Sequence, residues 1–161
     1  MGVDYYYVNR IKSQFYSCGL FGRSSRFNAI GQGPGARALA ILLSDRGTWK
    51  NDRISVVADS VPEFEDIFST FDNIDASVAL MLIDIDGLEW IERSLSESTL
   101  VFGLVCAIGI LTRRQDVVKL LDTKYGIGKW HKEYERYLHG NTDLWSQKVI
   151  DALNRDLKIL A

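Results

Sequence analysis

Apolar residues recur along this chain with two periods, and the alternation between them predicts its elements. Tyr5 to Val8 is rich in β-favouring residues and reads as a strand, with a weaker strand over Gln14 to Phe21 that Gly19 interrupts. After the glycines of GQGPG, the Ala- and Leu-rich ARALAILLSD predicts a helix ending near Gly47. Arg53 to Ala58 (RISVVA) and Val78 to Ile83 (VALMLI) are short apolar runs, the first rich in β-branched residues, and both predict buried strands. Between them, SVPEFEDIFSTF sets Phe64, Ile67, Phe68 and Phe71 on one helical face, with Ser60 as N-cap, Pro62 in the first turn and Glu63 closing a capping box. Two buried strands joined by such a helix form a βαβ unit, with the strands parallel and adjacent.

Helical spacing dominates the remainder, over Gly87 to Leu95, Glu97 to Leu111, Gln115 to Asp122, Gly128 to Leu138 and Thr142 to Ile159. The run Leu100 to Leu111 is apolar on every side, so periodicity alone leaves it as either a buried helix or a buried strand. The expected fold class is α/β or α+β: a single globular domain over residues 1–161, with a small sheet containing the βαβ unit and a largely helical C-terminal half.

Composition supports a packed core. The 47% hydrophobic content over 161 residues, with only 2 Pro, exceeds what disordered chains carry and is enough to bury a core without staples. Cys18 and Cys106 are the only cysteines and lie far apart, which argues against a disulfide framework. The start MGVDYYYVNR lacks the pattern of a secretory leader, and the longest apolar run falls short of the roughly 20 residues that a membrane span needs. A cytoplasmic protein with no membrane association is therefore expected.

Charge changes the picture, because the net −2 conceals three blocks. Residues 1–53 carry +5, residues 54–112 carry −10 and residues 113–161 carry +3. An acidic middle can hold a hard cation, repel nucleic acid or present a negative face to a basic partner. The candidate contact carboxylates are Glu63, Glu65, Asp66, Asp72, Asp75, Glu89 and Glu92. In KYGIGKWHKEYERYLHG, aromatics including Trp130 and Tyr134 alternate with Lys and Arg, a pattern that serves base stacking, protein-interface anchoring or core packing.

Three further groupings bear on chemistry. Asp59, Asp84 and Asp86 would emerge at the carboxyl ends of the two expected strands, where parallel sheets gather ligands, and form the alternative metal site for Mg²⁺ with a phosphate-bearing substrate. Local string VALMLIDIDGLEWI resembles the first metal-binding strand of diguanylate cyclase domains, which implies a strand leading into a carboxylate pair. Glu92 and Arg93 stand where that family continues with Asn-Asp, and its later motifs do not follow, so the activity is not carried over. GQGPGAR resembles the pyrophosphate loop of acetyltransferases in opening a helix with alternating glycines, although Pro34 removes one backbone donor, no Lys-Ser/Thr pair follows, and a plain tight turn is the favoured reading. His131, Glu135 and His139 share a helix face, but about 12 Å separates the histidines along the axis, too far for one ion.

No nucleophile has a partnering histidine nearby in sequence, and aspartates also commonly end strands and cap helices. The residues point first to a cytosolic protein-binding module of the immunity or antitoxin type, neutralising a basic toxin or nuclease through an acidic surface. An Mg²⁺-dependent enzyme and a nucleic-acid-binding module are the alternatives. The leading expectation has no catalytic residue, no cofactor and no metal. Its partner is a basic protein, nucleic acid is disfavoured, and oligomeric state is open.

Overall fold

The computed structural model describes residues 3–21, 30–95 and 99–140. The chain divides into two compact units, Met1–Ile85 and Asp86–Ala161. The first opens with a hairpin, β1 (Tyr5–Asn9) and β2 (Gln14–Ser17), whose turn is closed by the Asn9 side chain accepting the Lys12 N–H at 3.0 Å. Next come α1 (Gly33–Leu43), β3 (Ile54–Ala58), α2 (Glu63–Thr70), the two-residue β4 (Asp72–Asn73) and α3 (Asp75–Asp86). The strands form one sheet of order β3-β1-β2-β4, in which β1 is antiparallel to both β2 and β3 while β2 and β4 are parallel. The class is α+β.

The sheet is covered on both faces because successive side chains of a strand alternate. Tyr6 stacks on Phe64 of α2 with ring centroids 4.7 Å apart, and Phe15 meets Phe64 and Phe68 at 6.3 Å each. The expected apolar stripe of α2 is thus used, with Ile67 at its buried centre. On the opposite face Tyr16 packs against Trp49 at 5.6 Å, and its hydroxyl donates to the Gly35 carbonyl at 2.8 Å. Trp49 in turn donates its indole N–H to the Gln14 side chain at 2.8 Å. Both buried aromatics therefore keep their polar atoms satisfied.

The expected βαβ unit, with Arg53–Ala58 and Val78–Ile83 as adjacent parallel strands, is not formed. β3 and β4 run parallel and are joined through α2, but β1 and β2 are inserted between them. The strand that follows α2 is Asp72–Asn73, whereas the expected strand Val78 to Ile83 is the middle of α3. The buried positions explain this. Asp75, Ala76, Val78, Ala79, Leu82 and Ile83 recur at helical spacing, so the apolar run is a helix buried along a wide stripe rather than a strand buried on both faces. Asn73 and Asp75 fix its start: the Asn73 side chain accepts the Asp75 N–H at 3.0 Å, and a carboxylate in the first turn suits the helix dipole. The capping box at Ser60 is not formed either. Pro62 occupies the cap position in helical conformation without a side-chain cap, and the chain turns in through Val61 N–H to Ala58 O and Phe64 N–H to Val61 O.

The second unit is helical where described: α4 (Glu89–Ser94), α5 (Thr99–Thr112), α6 (Gln115–Tyr125) and α7 (Trp130–Gly140). The ambiguous run Leu100 to Leu111 is the helix α5, against which α4, α6 and α7 pack, and its residues Leu104 to Ile108 are buried. Gly109 faces α6, where a Cβ would lie 3.4 Å from the Val117 and Leu121 side chains. Between α6 and α7, Gly126 and Gly128 take φ of +94° and +71°, which only glycine adopts without strain. The helix expected over Thr142 to Ile159 lies outside the described residues.

Candidate protein-binding surface

The fold sorts the carboxylates of the acidic block by exposure. On α2, Glu63, Glu65 and Asp66 fill the exposed first turn, where they complement the helix dipole. Asp59, just beyond β3, and Asp72, at the start of β4, are also exposed. The successive segments β3, α2 and β4 therefore carry Asp59, Glu63, Glu65, Asp66 and Asp72, with Asp59 and Asp72 at opposite edges of the sheet and the α2 first turn holding the cluster Glu63, Glu65 and Asp66. Glu63 is paired with Arg10 of the hairpin turn at 3.0 Å, with the side chains 47% and 56% exposed, a surface pair contributing about 0–1 kcal/mol. Glu65 and Asp66 have no ion pair among the described residues. Beside Arg10, Ile11 stands 65% exposed at the turn.

Glu89 and Glu92 are exposed on α4 in the second unit, where Glu89 is paired with Arg93 one turn on.

Three expected contact residues belong to the interior instead. Asp75 is buried, its carboxylate accepting the Ser17 N–H at 2.8 Å and the Asn73 amide at 3.4 Å. Burial pushes its pKa up to about 6, against the opposing pull of those two hydrogen bonds. It ties the end of β2 to the start of α3 and is no surface charge. Trp130 and Tyr134, four residues apart on α7, are also buried, and the Trp130 indole N–H donates to Asp122 at 2.8 Å. Of the three readings left open for these aromatics, core packing is the one realised, because their spacing puts both on the inner face of an amphipathic helix.

The aspartate constellation is not assembled as a metal centre. Asp84 and Asp86 lie on α3 rather than at a strand end, two residues apart and hence on different sides of the helix. Asp86 accepts the Trp90 indole N–H at 3.1 Å, and Asp59 accepts the Asp4 N–H at 3.2 Å. Among the described residues no group of three or more His, Cys, Asp or Glu side chains is placed to hold a metal ion. His131, Glu135 and His139 are exposed on α7, with His131 stacked on Trp130 at 3.8 Å.

The glycine loop has a packing explanation. Gly31 and Gly33 adopt φ of +77° and +72°, the Gly31 N–H donates to the Tyr7 hydroxyl at 3.0 Å, and the Gly35 carbonyl is taken by Tyr16. A Cβ at Gly35 would lie 2.2 Å from the Cys18 carbonyl oxygen, so only glycine lets α1 approach the end of β2. The Gly31 N–H is thus used by the sheet, and Gly35 serves close packing. Both cysteines are buried, and burial raises each thiol to about 12, which removes them as nucleophiles at neutral pH.

Sequence reasoning missed the inward tyrosines Tyr7 and Tyr16 and the Asn9–Asp52 hydrogen bond of 2.8 Å. Their signal was faint, since nothing local says which tyrosine of YYY faces a helix.

No described helix is long and apolar enough to cross a membrane. In comparisons with known proteins the chain matches no family model, no curated protein and no solved structure at a significant level.

Proposed function

We propose that this protein is a binding module that takes a basic protein partner on the carboxylates of the α2 first turn, acting in the cytoplasm in the manner of immunity or antitoxin proteins. The observation that carries the reading is the exposed first turn of α2, where Glu65 and Asp66 stand without an ion pair among the described residues and Glu63 makes one exposed pair with Arg10. Such a cluster steers a cationic surface into contact and raises the association rate more than the final affinity. Ile11, exposed next to the Arg10–Glu63 pair, offers apolar contact beside the charge. The buried state of Trp130 and Tyr134 removes the aromatic anchors first expected, so the energy of binding falls to the α2 surface itself.

Affinity capture of the tagged protein from its native cells, followed by mass spectrometry, identifies the partner. A basic protein is expected. Association measured by stopped flow should then slow by about tenfold in Glu65→Lys/Asp66→Lys, with a flatter dependence on salt. An acidic partner, or association unchanged by the double reversal, overturns the reading.

A further inference from the structure

β3 is a sheet edge. The hydrogen-bond phase of the sheet fixes which of its backbone groups face outward. The Cys18 N–H donates to Tyr5 O at 3.0 Å, so Tyr5, Tyr7 and Asn9 direct their groups to β2, and the Asp59 N–H donates to Asp4 O at 2.9 Å, so Asp4, Tyr6 and Val8 direct theirs to β3. On β3 this leaves Ser55, Val57 and Asp59 bonded inward, and Ile54, Val56 and Ala58 turned outward. Val61 N–H takes the Ala58 carbonyl at 3.3 Å, while Ile54 and Val56 keep both groups at the edge. Natural edges are usually blunted by Lys, Pro or a bulge. The strand ISVVA has no Lys or Pro and pairs with β1 residue for residue, and Val56 is 44% exposed.

We propose that this edge pairs with a second copy of the chain, β3 antiparallel to β3, on a two-fold axis through Val56. The charges choose both occupant and register. With Val56 opposite itself, Ile54 opposes Ala58 and Arg53 opposes Asp59 of the second copy, so two opposite-charge pairs close the strand at its ends. Moving the axis to Ser55 or Val57 sets Arg53 against Val57 or Val61 and forfeits both pairs. Arg53 is exposed and has no ion pair among the described residues, and Asp59 is exposed with one oxygen on the Asp4 N–H. The pair falls at a non-hydrogen-bonded position, where opposed Cα atoms come within about 4.5 Å. The dimer joins two sheets of order β3-β1-β2-β4 into one and satisfies the outward groups of Ile54 and Val56. It does not depend on the acidic-surface reading.

Sedimentation equilibrium of the full chain over a wide dilution series is the test. The expected mass rises with concentration from that of one chain to that of two. Val56→Lys should raise the dimer Kd by at least about tenfold, as should Arg53→Asp and Asp59→Arg singly, while the Arg53→Asp/Asp59→Arg double swap restores association because each pair is then reversed in sign. Circular dichroism confirms that each variant is folded; Val56→Lys, at an exposed position, stands as the test should either charge variant fail to fold. A monomer throughout the series, a dimer indifferent to Val56→Lys, or a folded double swap that does not recover association overturns the proposal.

Discussion

Asp75 is a carboxylate that the fold buries without a cation, and its protonation should be visible in stability. The pKa is raised from 3.8 to about 6, with burial as the cause and the Ser17 N–H and Asn73 amide pulling the other way. Between those two values the folded protein holds a proton that the unfolded chain has released, so folding is favoured at the acid end and loses free energy as pH rises. A difference of about two pKa units corresponds to about 3 kcal/mol, of which about 2–3 kcal/mol falls between pH 4 and pH 7. Asp75→Asn is isosteric and neutral at every pH; its oxygen can still accept the Ser17 N–H, while its NH2 replaces the oxygen that accepts from the Asn73 amide. Urea unfolding of both proteins across this range isolates the effect, because the other carboxylates titrate equally in each and cancel in the difference. Loss of the Asn73 contact adds a pH-independent offset, and on top of it the variant should gain about 2–3 kcal/mol relative to the wild type between pH 4 and pH 7, most of it between pH 4 and 6. Parallel stability curves would refute the reasoning, since they would mean that the buried carboxyl ionises as readily as an exposed one.

Packing supplies the other tests. Gly35→Ala drives a Cβ to within 2.2 Å of the Cys18 carbonyl oxygen and should cost about 1–3 kcal/mol, read as a lower urea midpoint. Phe15→Ala empties the space among Tyr6, Phe64 and Phe68 beneath α2 and should cost about 3–5 kcal/mol by the same assay. Cys18 and Cys106 should resist a thiol reagent at pH 8 in the native protein and react fully in urea; rapid native labelling of either would contradict its burial.

Much of the element pattern was present in the sequence. The strand at Tyr5, the α2 stripe of Phe64, Ile67 and Phe68, and the helices α6 and α7 follow from local periodicity and glycine punctuation, which are written into neighbouring residues; that Leu100 to Leu111 is the helix α5 came only from the structure. The run Val78 to Ile83 was read as a strand and is a helix, because a segment apolar on all sides satisfies both periods; the side chains of Asn73 and Asp75 and a wide buried stripe decide it. Strand order was equally beyond local reading. β3 and β4 are parallel as a crossover helix requires, yet the β1–β2 hairpin, which precedes both in sequence, lies between them. The candidate surface divided on the same line: charge sign and position were legible, and they named Glu63, Glu65, Asp66 and Asp72 along with Asp75, Trp130 and Tyr134. Only the tertiary structure took the last three inside, because whether a side chain meets water depends on which elements pack over it, and that is set by contacts between residues far apart in the chain.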